Sequence, residues 1–144
     1  MKTRTLLLLC LLLSFSVSQL SAQTLKKGAV VAVGIYEMTL NPDVSLNQFF
    51  DFYNNKYIPE FEKNWPGVKL YIMAGDRGEN KNKFGAILIF KSVAVRDKYY
   101  PAEDANTTSD AWKASTEKMK VMDAEFSKYV VSGARTTYTD WIIK

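Results

Sequence analysis

The sequence contains no histidine and only one cysteine, Cys10, among its 144 residues. Without histidine the chain has no Ser-His-Asp triad, no histidine-ligated metal and no histidine-ligated haem. A formal charge of +4 is too small to indicate a nucleic-acid-binding protein. We therefore expect no metal site, no cofactor and no nucleic-acid partner.

The N-terminal stretch has the order of a secretory signal. Lys2 and Arg4 precede an apolar run at 6–13, and small and polar residues follow it. The apolar run is shorter than the roughly 20 residues of a membrane-spanning helix. We expect residues 1–22 to be a cleaved signal peptide, with no stable membrane insertion. Residues 23–144 then form a single domain that is exported, either periplasmic or secreted, and that holds no cysteine.

Residues 29–40 are nearly all apolar and are β-branched at their start. This composition predicts a central strand that is buried on both faces. Alternation places Tyr36 and Met38 on one face of that strand and Val33 and Glu37 on the other.

Residues 44–72 predict a helix, a sharp stop and an immediate strand. Ser45 is a favourable N-cap residue, and Gln48 three positions later completes a capping box. Pro59 is expected to kink the helix near Ile58, and the Trp-Pro-Gly corner at 65–67 is expected to end it. Apolar side chains at helical spacing form the buried face: Leu46, Phe49, Phe50, Tyr53 and Tyr57.

The remainder predicts two strands joined by a turn, a short helix, a long helix and a last strand. The long helix begins near Asp110, keeps a buried stripe as far as Val130 and ends before Gly133, the expected left-handed residue. The other predicted ranges are 68–74 and 83–91 for the strands, 92–99 for the short helix and 135–144 for the last strand.

This order predicts an α+β, ferredoxin-like βαββαβ fold with a four-stranded antiparallel sheet and helices on one face. The first and third strands are apolar on both faces, and Tyr71 adds apolar area to the second. Because one layer of helices cannot cover both faces, we expect the open face to meet a second copy. The result is a homodimer with a barrel-like interior.

Two short segments carry a resemblance to a known superfamily. Residues 52–59 read FYNNKYIP, and the corner at 65–68 reads WPGV. They resemble the dimeric α/β-barrel superfamily, and within it the EthD-like and NIPSNAP-like small proteins. Tyr57 stands where the EthD-like proteins have a histidine. The resemblance implies relatives of several kinds: cofactor-independent monooxygenases, isomerases, haem-degrading enzymes and members without known activity.

Tyr57, Glu37 and Asp140 are the candidate catalytic residues. Tyr57 could donate a hydrogen bond or act as a weak acid at a pocket, or it could simply pack in the core. Glu37 and Asp140 interrupt apolar strand faces, so burial would make either a proton acceptor. The alternative for both is a solvated carboxylate, or one paired with a lysine, near a strand end.

A second group of residues is suited to a flat hydrophobic ligand or to a dimer interface. A barrel formed by two subunits allows both. The group consists of Tyr36, Met38, Tyr53, Tyr71 and Trp141.

Two functions remain open at this point. The first is an exported homodimer that binds a small apolar ligand without catalysing a reaction. The absence of histidine, and of cysteine after residue 22, favours this function. The second is a cofactor-independent enzyme, monooxygenase-like or isomerase-like, which the resemblance favours.

Overall fold

The structure is a computed structural model that describes residues 25–101 and 109–144. The predicted signal peptide lies outside the described residues, as do residues 102–108 of the loop before the long helix. The elements are β1 (Val30–Leu40), α1 (Leu46–Phe52), a π-helical turn (Tyr53–Tyr57), α2 (Ile58–Asn64), β2 (Val68–Ala74), β3 (Phe84–Phe90), α3 (Val93–Tyr99), α4 (Asp110–Phe126) and β4 (Val130–Ile142).

The four strands form one antiparallel sheet in the order β2-β3-β1-β4. At the centre of β1, Val33 lies opposite Ile87 of β3 on one side and Thr139 of β4 on the other. The helices lie on one face of this sheet. The predicted α+β, ferredoxin-like fold is confirmed.

The start of α1 follows the predicted capping box. The Gln48 backbone N–H donates to the Ser45 hydroxyl at 3.3 Å, and the Ser45 backbone N–H donates to Gln48 Oε1 at 2.8 Å. These two bonds satisfy donors that the first helical turn leaves without partners.

The helix that follows is interrupted by a π-helical turn, where a kink near Ile58 was expected. The Ile58 N–H donates to the Tyr53 carbonyl five residues earlier, and helical structure resumes at once. Pro59 occupies the first turn of the resumed helix, directly after the π turn. The π turn thus accommodates the proline without ending the helical path.

The long helix is shorter than the sequence pattern predicts, and the last strand begins earlier. Helix α4 ends at Phe126, and β4 starts at Val130. The expectation that Gly133 follows the helix end is wrong, because β4 pairs with the whole second half of β1, from Val130 opposite Leu40 onward. Gly133 is opposite Met38, and a Cβ there would lie 3.0 Å from Met38 Cγ. The glycine therefore allows a close approach within the sheet.

The hydrophobic core lies between the helices and one face of the sheet. Val30, Ala32 and Phe90 are almost fully buried on that face, and the stacked rings of Phe61 and Trp65 cover them from α2. Within residues 25–101 and 109–144, no helix is long and apolar enough to cross a membrane.

The opposite face of the sheet is mainly apolar, and none of the described helices covers it. We call it the open face. Tyr71 and Trp141 on this face are 44% and 59% exposed. Its other apolar side chains are half-buried by their neighbours along the strands: Val31, Val33, Ile35, Ile87 and Ile89.

Candidate functional site

A cavity of about 370 Å³ lies between the helices and the sheet, next to the π turn. Aliphatic side chains of β2 and β3 form its floor, and none of the described residues that line it carries a charge. Six aromatic side chains line it: Tyr36, Tyr53, Tyr57, Phe61, Phe84 and Phe126. Such a cavity suits a small, flat, mainly apolar molecule.

The π turn supplies the two polar groups on the helical side of the cavity. Tyr53 and Tyr57 stack with ring centroids 4.7 Å apart and planes 25° apart. Phe126 of α4 contacts both rings at centroid distances of 6.1 and 5.9 Å. The Tyr57 hydroxyl donates a hydrogen bond of 3.1 Å to Asp123 Oδ1, also on α4.

The phenols of Tyr53 and Tyr57 are held in their protonated form. Burial raises the pKa of Tyr53 well above its ordinary value of 10.0, and Tyr36 and Asp123 add to the rise. Burial also raises the pKa of Tyr57, with further contributions from Tyr53 and Asp123. Near neutral pH both groups therefore carry their proton and act as hydrogen-bonding groups rather than as bases.

The structure brings four of the predicted site residues together and separates the others. Tyr36, Met38, Tyr53 and Tyr57 all line the cavity. Tyr71 and Trp141 lie on the open face, so the five predicted pocket residues do not form one site. Tyr71 points away from the cavity because side chains alternate along β2, and its neighbours Leu70 and Ile72 line the cavity. Trp141 is opposite Val31 on the same open face.

Glu37 lies outside the cavity. It alternates with Tyr36 and Met38 along β1, so its side chain points to the other side of the sheet, where it is 62% exposed. Its carboxylate pairs with Lys83 at 3.3 Å. This placement matches the alternative in which Glu37 is a solvated carboxylate paired with a lysine.

Asp140 faces the helices but does not line the cavity. Arg96 Nη1 donates to Asp140 Oδ2 at 2.9 Å, which joins α3 to β4. Asp140 is paired with Ala32, whereas Glu37 is paired with Ala134. Asp140 of β4 thus lies beside Ala32, whereas Glu37 lies further along β1, and the two carboxylates are on opposite faces of the sheet.

Sequence reasoning missed Asp123, the partner of the Tyr57 hydroxyl. A signal was available, because Asp123 falls four residues after Met119 and three before Phe126 in the predicted buried stripe of the long helix. A carboxylate at such a position can reach a polar group on the element that the stripe covers. Only the packing of α4 on the π turn identifies that group as Tyr57.

No protein-family model matches the chain, and a search of curated proteins gives no match either. Several chains of solved structures match it, and three of them are as follows. One is a dimeric protein of unknown function and ferredoxin-like fold from Bacteroides fragilis, with 12% identity and a TM-score of 0.41, covering 81% of this chain and 98% of that one.

The second is a mutant of SnoaB, a cofactor-independent oxygenase from Streptomyces nogalater, with 11% identity and a TM-score of 0.44, covering 81% of this chain and 94% of that one. The third is an uncharacterized NIPSNAP-like domain protein from Burkholderia xenovorans, with 13% identity and a TM-score of 0.46, covering 83% of this chain and 88% of that one. At this level of likeness none of them assigns a role to a residue of this chain.

Proposed function

We propose that the protein is an exported homodimer that binds a small, flat, mainly apolar molecule in the cavity beside the π turn. The observation that carries this proposal is the cavity itself, about 370 Å³ in volume and lined by six aromatic rings. Cavities of this size and lining enclose most of the surface of a two- or three-ring molecule. The interior phenols offer it hydrogen-bonding groups at fixed places.

Binding without catalysis is favoured by the chemistry of the lining. Tyr57 is the candidate catalytic residue that lines the cavity, and its raised pKa keeps its proton in place. Glu37 and Asp140, the other two candidates, are held in ion pairs outside it. A general base must lie within hydrogen-bond reach of the proton that it removes.

A cofactor-independent enzyme is the second candidate, and the contact between Tyr57 and Asp123 favours it. A phenol that is hydrogen-bonded to a carboxylate can in principle pass its proton to that carboxylate while it takes one from a substrate. The two candidates differ in a measurable way. A binding protein returns its ligand unchanged, and an enzyme of this kind consumes it.

The open face supports the homodimer. Most of its side chains from β2 across to β4 are apolar, and two of them, Tyr71 and Trp141, are large and about half exposed. Aromatic residues are enriched at interfaces between subunits, and these two lie on the two edge strands of the sheet. A second copy placed face to face would cover all of these side chains at once.

Ligand binding is tested by filling the cavity. Ala86 lines its floor on β3, so Ala86→Leu occupies part of the volume from within. The matched control is Ala114→Leu, which adds the same atoms to an exposed position of α4. The probe is N-phenyl-1-naphthylamine, a neutral two-ring system with a further phenyl ring whose fluorescence rises in apolar surroundings. We expect wild type and Ala114→Leu to bind it with equal affinity and Ala86→Leu to bind at least tenfold more weakly. Equal binding by all three proteins would contradict the cavity as the site.

Export is tested separately on protein collected outside the cytoplasm. Lys2, Arg4 and the apolar run at 6–13 support cleavage near Ala22. N-terminal sequencing is expected to show a chain that begins near Gln23. Exported material that still begins at Met1 would contradict cleavage.

A further inference from the structure

The hydrogen bond between Tyr57 and Asp123 determines what the Tyr57 oxygen can do for a ligand. A phenol has a single proton, and here that proton is donated to Asp123 Oδ1 at 3.1 Å. The oxygen keeps its lone pairs as acceptors. A cavity ligand that reaches this oxygen therefore meets an acceptor and has to supply the proton itself.

Asp123 is an exposed residue of α4, and its carboxylate accepts the hydrogen bond from Tyr57. Among the described residues no lysine or arginine forms an ion pair with Asp123, and the nearby Lys56 donates instead to Glu125 at 2.7 Å. The cavity lining carries no charge of its own. Asp123 also raises the pKa of both Tyr53 and Tyr57, as a negative charge close to both hydroxyls does. A carboxylate without an ion pair in the described part of the chain therefore lies beside the Tyr57 hydroxyl at this end of the cavity.

We propose that the cavity selects neutral aromatic molecules that donate a hydrogen bond, such as phenols, naphthols and aromatic amines, and that it rejects aromatic carboxylates. Tyr57 accepts the ligand's hydrogen bond, and Asp123 holds Tyr57 in the accepting orientation. This inference rests on the proposed binding function. It adds that the ligand must be neutral and must donate a hydrogen bond.

Three naphthalene derivatives of nearly equal size test the proposal: 2-naphthol, 2-methoxynaphthalene and 2-naphthoate. The first donates a hydrogen bond, the second only accepts one and the third is an anion near neutral pH. We expect 2-naphthol to bind about three- to tenfold more tightly than 2-methoxynaphthalene, the range of one hydrogen bond. We expect 2-naphthoate to bind more weakly than both. Isothermal titration calorimetry on the intact protein measures all three.

Two variants separate the roles of the two residues. Tyr57→Phe removes the acceptor and keeps the ring, so the advantage of 2-naphthol over 2-methoxynaphthalene should disappear. Asp123→Ala frees the Tyr57 proton, so 2-methoxynaphthalene and 2-naphthoate should both gain relative to 2-naphthol. Glu117→Ala is the charge-matched control, because Glu117 is an exposed residue of α4 whose carboxylate pairs with Lys120 rather than with the cavity tyrosines. It should leave the order of affinities unchanged.

The outcomes distinguish this inference from the binding function beneath it. If all three compounds bind equally, or if 2-naphthoate binds best, the inference is wrong and the cavity remains a binding site. The same holds if Asp123→Ala and Glu117→Ala change the affinities alike. If none of the compounds binds to the wild type, the proposed function is wrong and this inference fails with it.

Discussion

The two faces of the sheet are built from the same kinds of residue and have opposite surroundings. Along β1, Val30 and Ala32 are buried under the helices, while Val31 and Val33, which alternate with them, lie on the open face. One face holds the core and the cavity, and the other offers an apolar surface. The comparison shows that strand alternation decides which residues share a face, and that the helices alone decide which face becomes the interior.

The largest expected effect comes from Phe90, which has no exposed surface on the covered face. Phe90→Ala should lower the free energy of unfolding by about 3–5 kcal/mol, because it removes a ring and leaves a cavity. Its neighbour Ile89 lies on the open face, and Ile89→Ala should cost less than about 2 kcal/mol in dilute protein. Urea denaturation at two protein concentrations checks both values.

The dependence of the unfolding free energy on protein concentration separates Ile89→Ala from Phe90→Ala more clearly. In a homodimer part of the burial of Ile89 comes from the second copy, so the effect of Ile89→Ala should grow with protein concentration. Phe90 is buried within its own subunit, so the effect of Phe90→Ala should not depend on protein concentration. Equal, concentration-independent costs for both variants would show that the two faces do not differ as described.

A charge on the open face should break the dimer. Val33 and Ile87 are directly opposite each other on this face, so Val33→Glu or Ile87→Lys places a charge within the proposed interface. An uncompensated charge buried there costs about 3–5 kcal/mol, which weakens association by roughly a hundredfold or more. Light scattering should show a dimer for the wild type and for Lys98→Glu, a control on α3, and a monomer or aggregate for the other two. A wild type that stays monomeric at micromolar concentration would contradict the dimer.

The buried phenol of Tyr53 should make the folding stability of the protein sensitive to alkaline pH. Burial raises the pKa of Tyr53 above 10.0 in the folded chain, whereas the unfolded chain keeps the ordinary value. Below pH 10 both states hold the proton and folding stability is unaffected. Above pH 10 the unfolded chain releases it first, so stability falls as the pH rises. Tyr53→Phe should make this fall shallower by about 1 kcal/mol per pH unit, and melting temperatures between pH 8 and pH 11 test it. An unchanged slope would place Tyr53 in contact with water.

The smallest effect on stability is expected for Tyr57→Phe, which removes one hydroxyl and one hydrogen bond to an exposed carboxylate. The loss should be about 1 kcal/mol or less in thermal melting. Ligand affinity distinguishes packing from function here. A packing residue leaves the binding of N-phenyl-1-naphthylamine unchanged, while a functional phenol lowers it severalfold. Tyr57→Ala is unsuitable, since it also opens a cavity.

The parts that the sequence predicts correctly depend on local rules. Ser45 caps its helix as its hydroxyl and position indicate, and the helical segment ends at the Trp-Pro-Gly corner, where Gly67 has the left-handed backbone that glycine allows. The end of α4 was misplaced because Val130 satisfies a helical stripe and a strand equally well. Its pairing with Leu40, 90 residues earlier, decides between them.

The candidate site was predictable only in part, for a similar reason. Tyr36, Met38 and Tyr53 follow from periodicity once the helices are known to cover that face. Tyr71 required knowing which side of β2 faces the helices, and a four-stranded sheet with two apolar faces does not indicate this. The stripe of the long helix places Asp123 beside its buried face, but the pairing of Asp123 with Tyr57 is decided by how two distant elements pack.

The π turn also bears on how the chain tolerates losing a residue. Phe49 and Phe61 are both buried and are twelve positions apart. At about 100° per residue, a uniform α-helix would rotate them roughly a third of a turn away from each other, whereas eleven positions would leave them within about 20°. Deleting one of the exposed residues Asn54 and Asn55 would therefore turn the π turn into ordinary α-helix and keep both rings in phase. The fold should survive this deletion, while the spacing of the stacked Tyr53 and Tyr57 would fall from four residues to three, so the deletion should alter the cavity lining more than the fold.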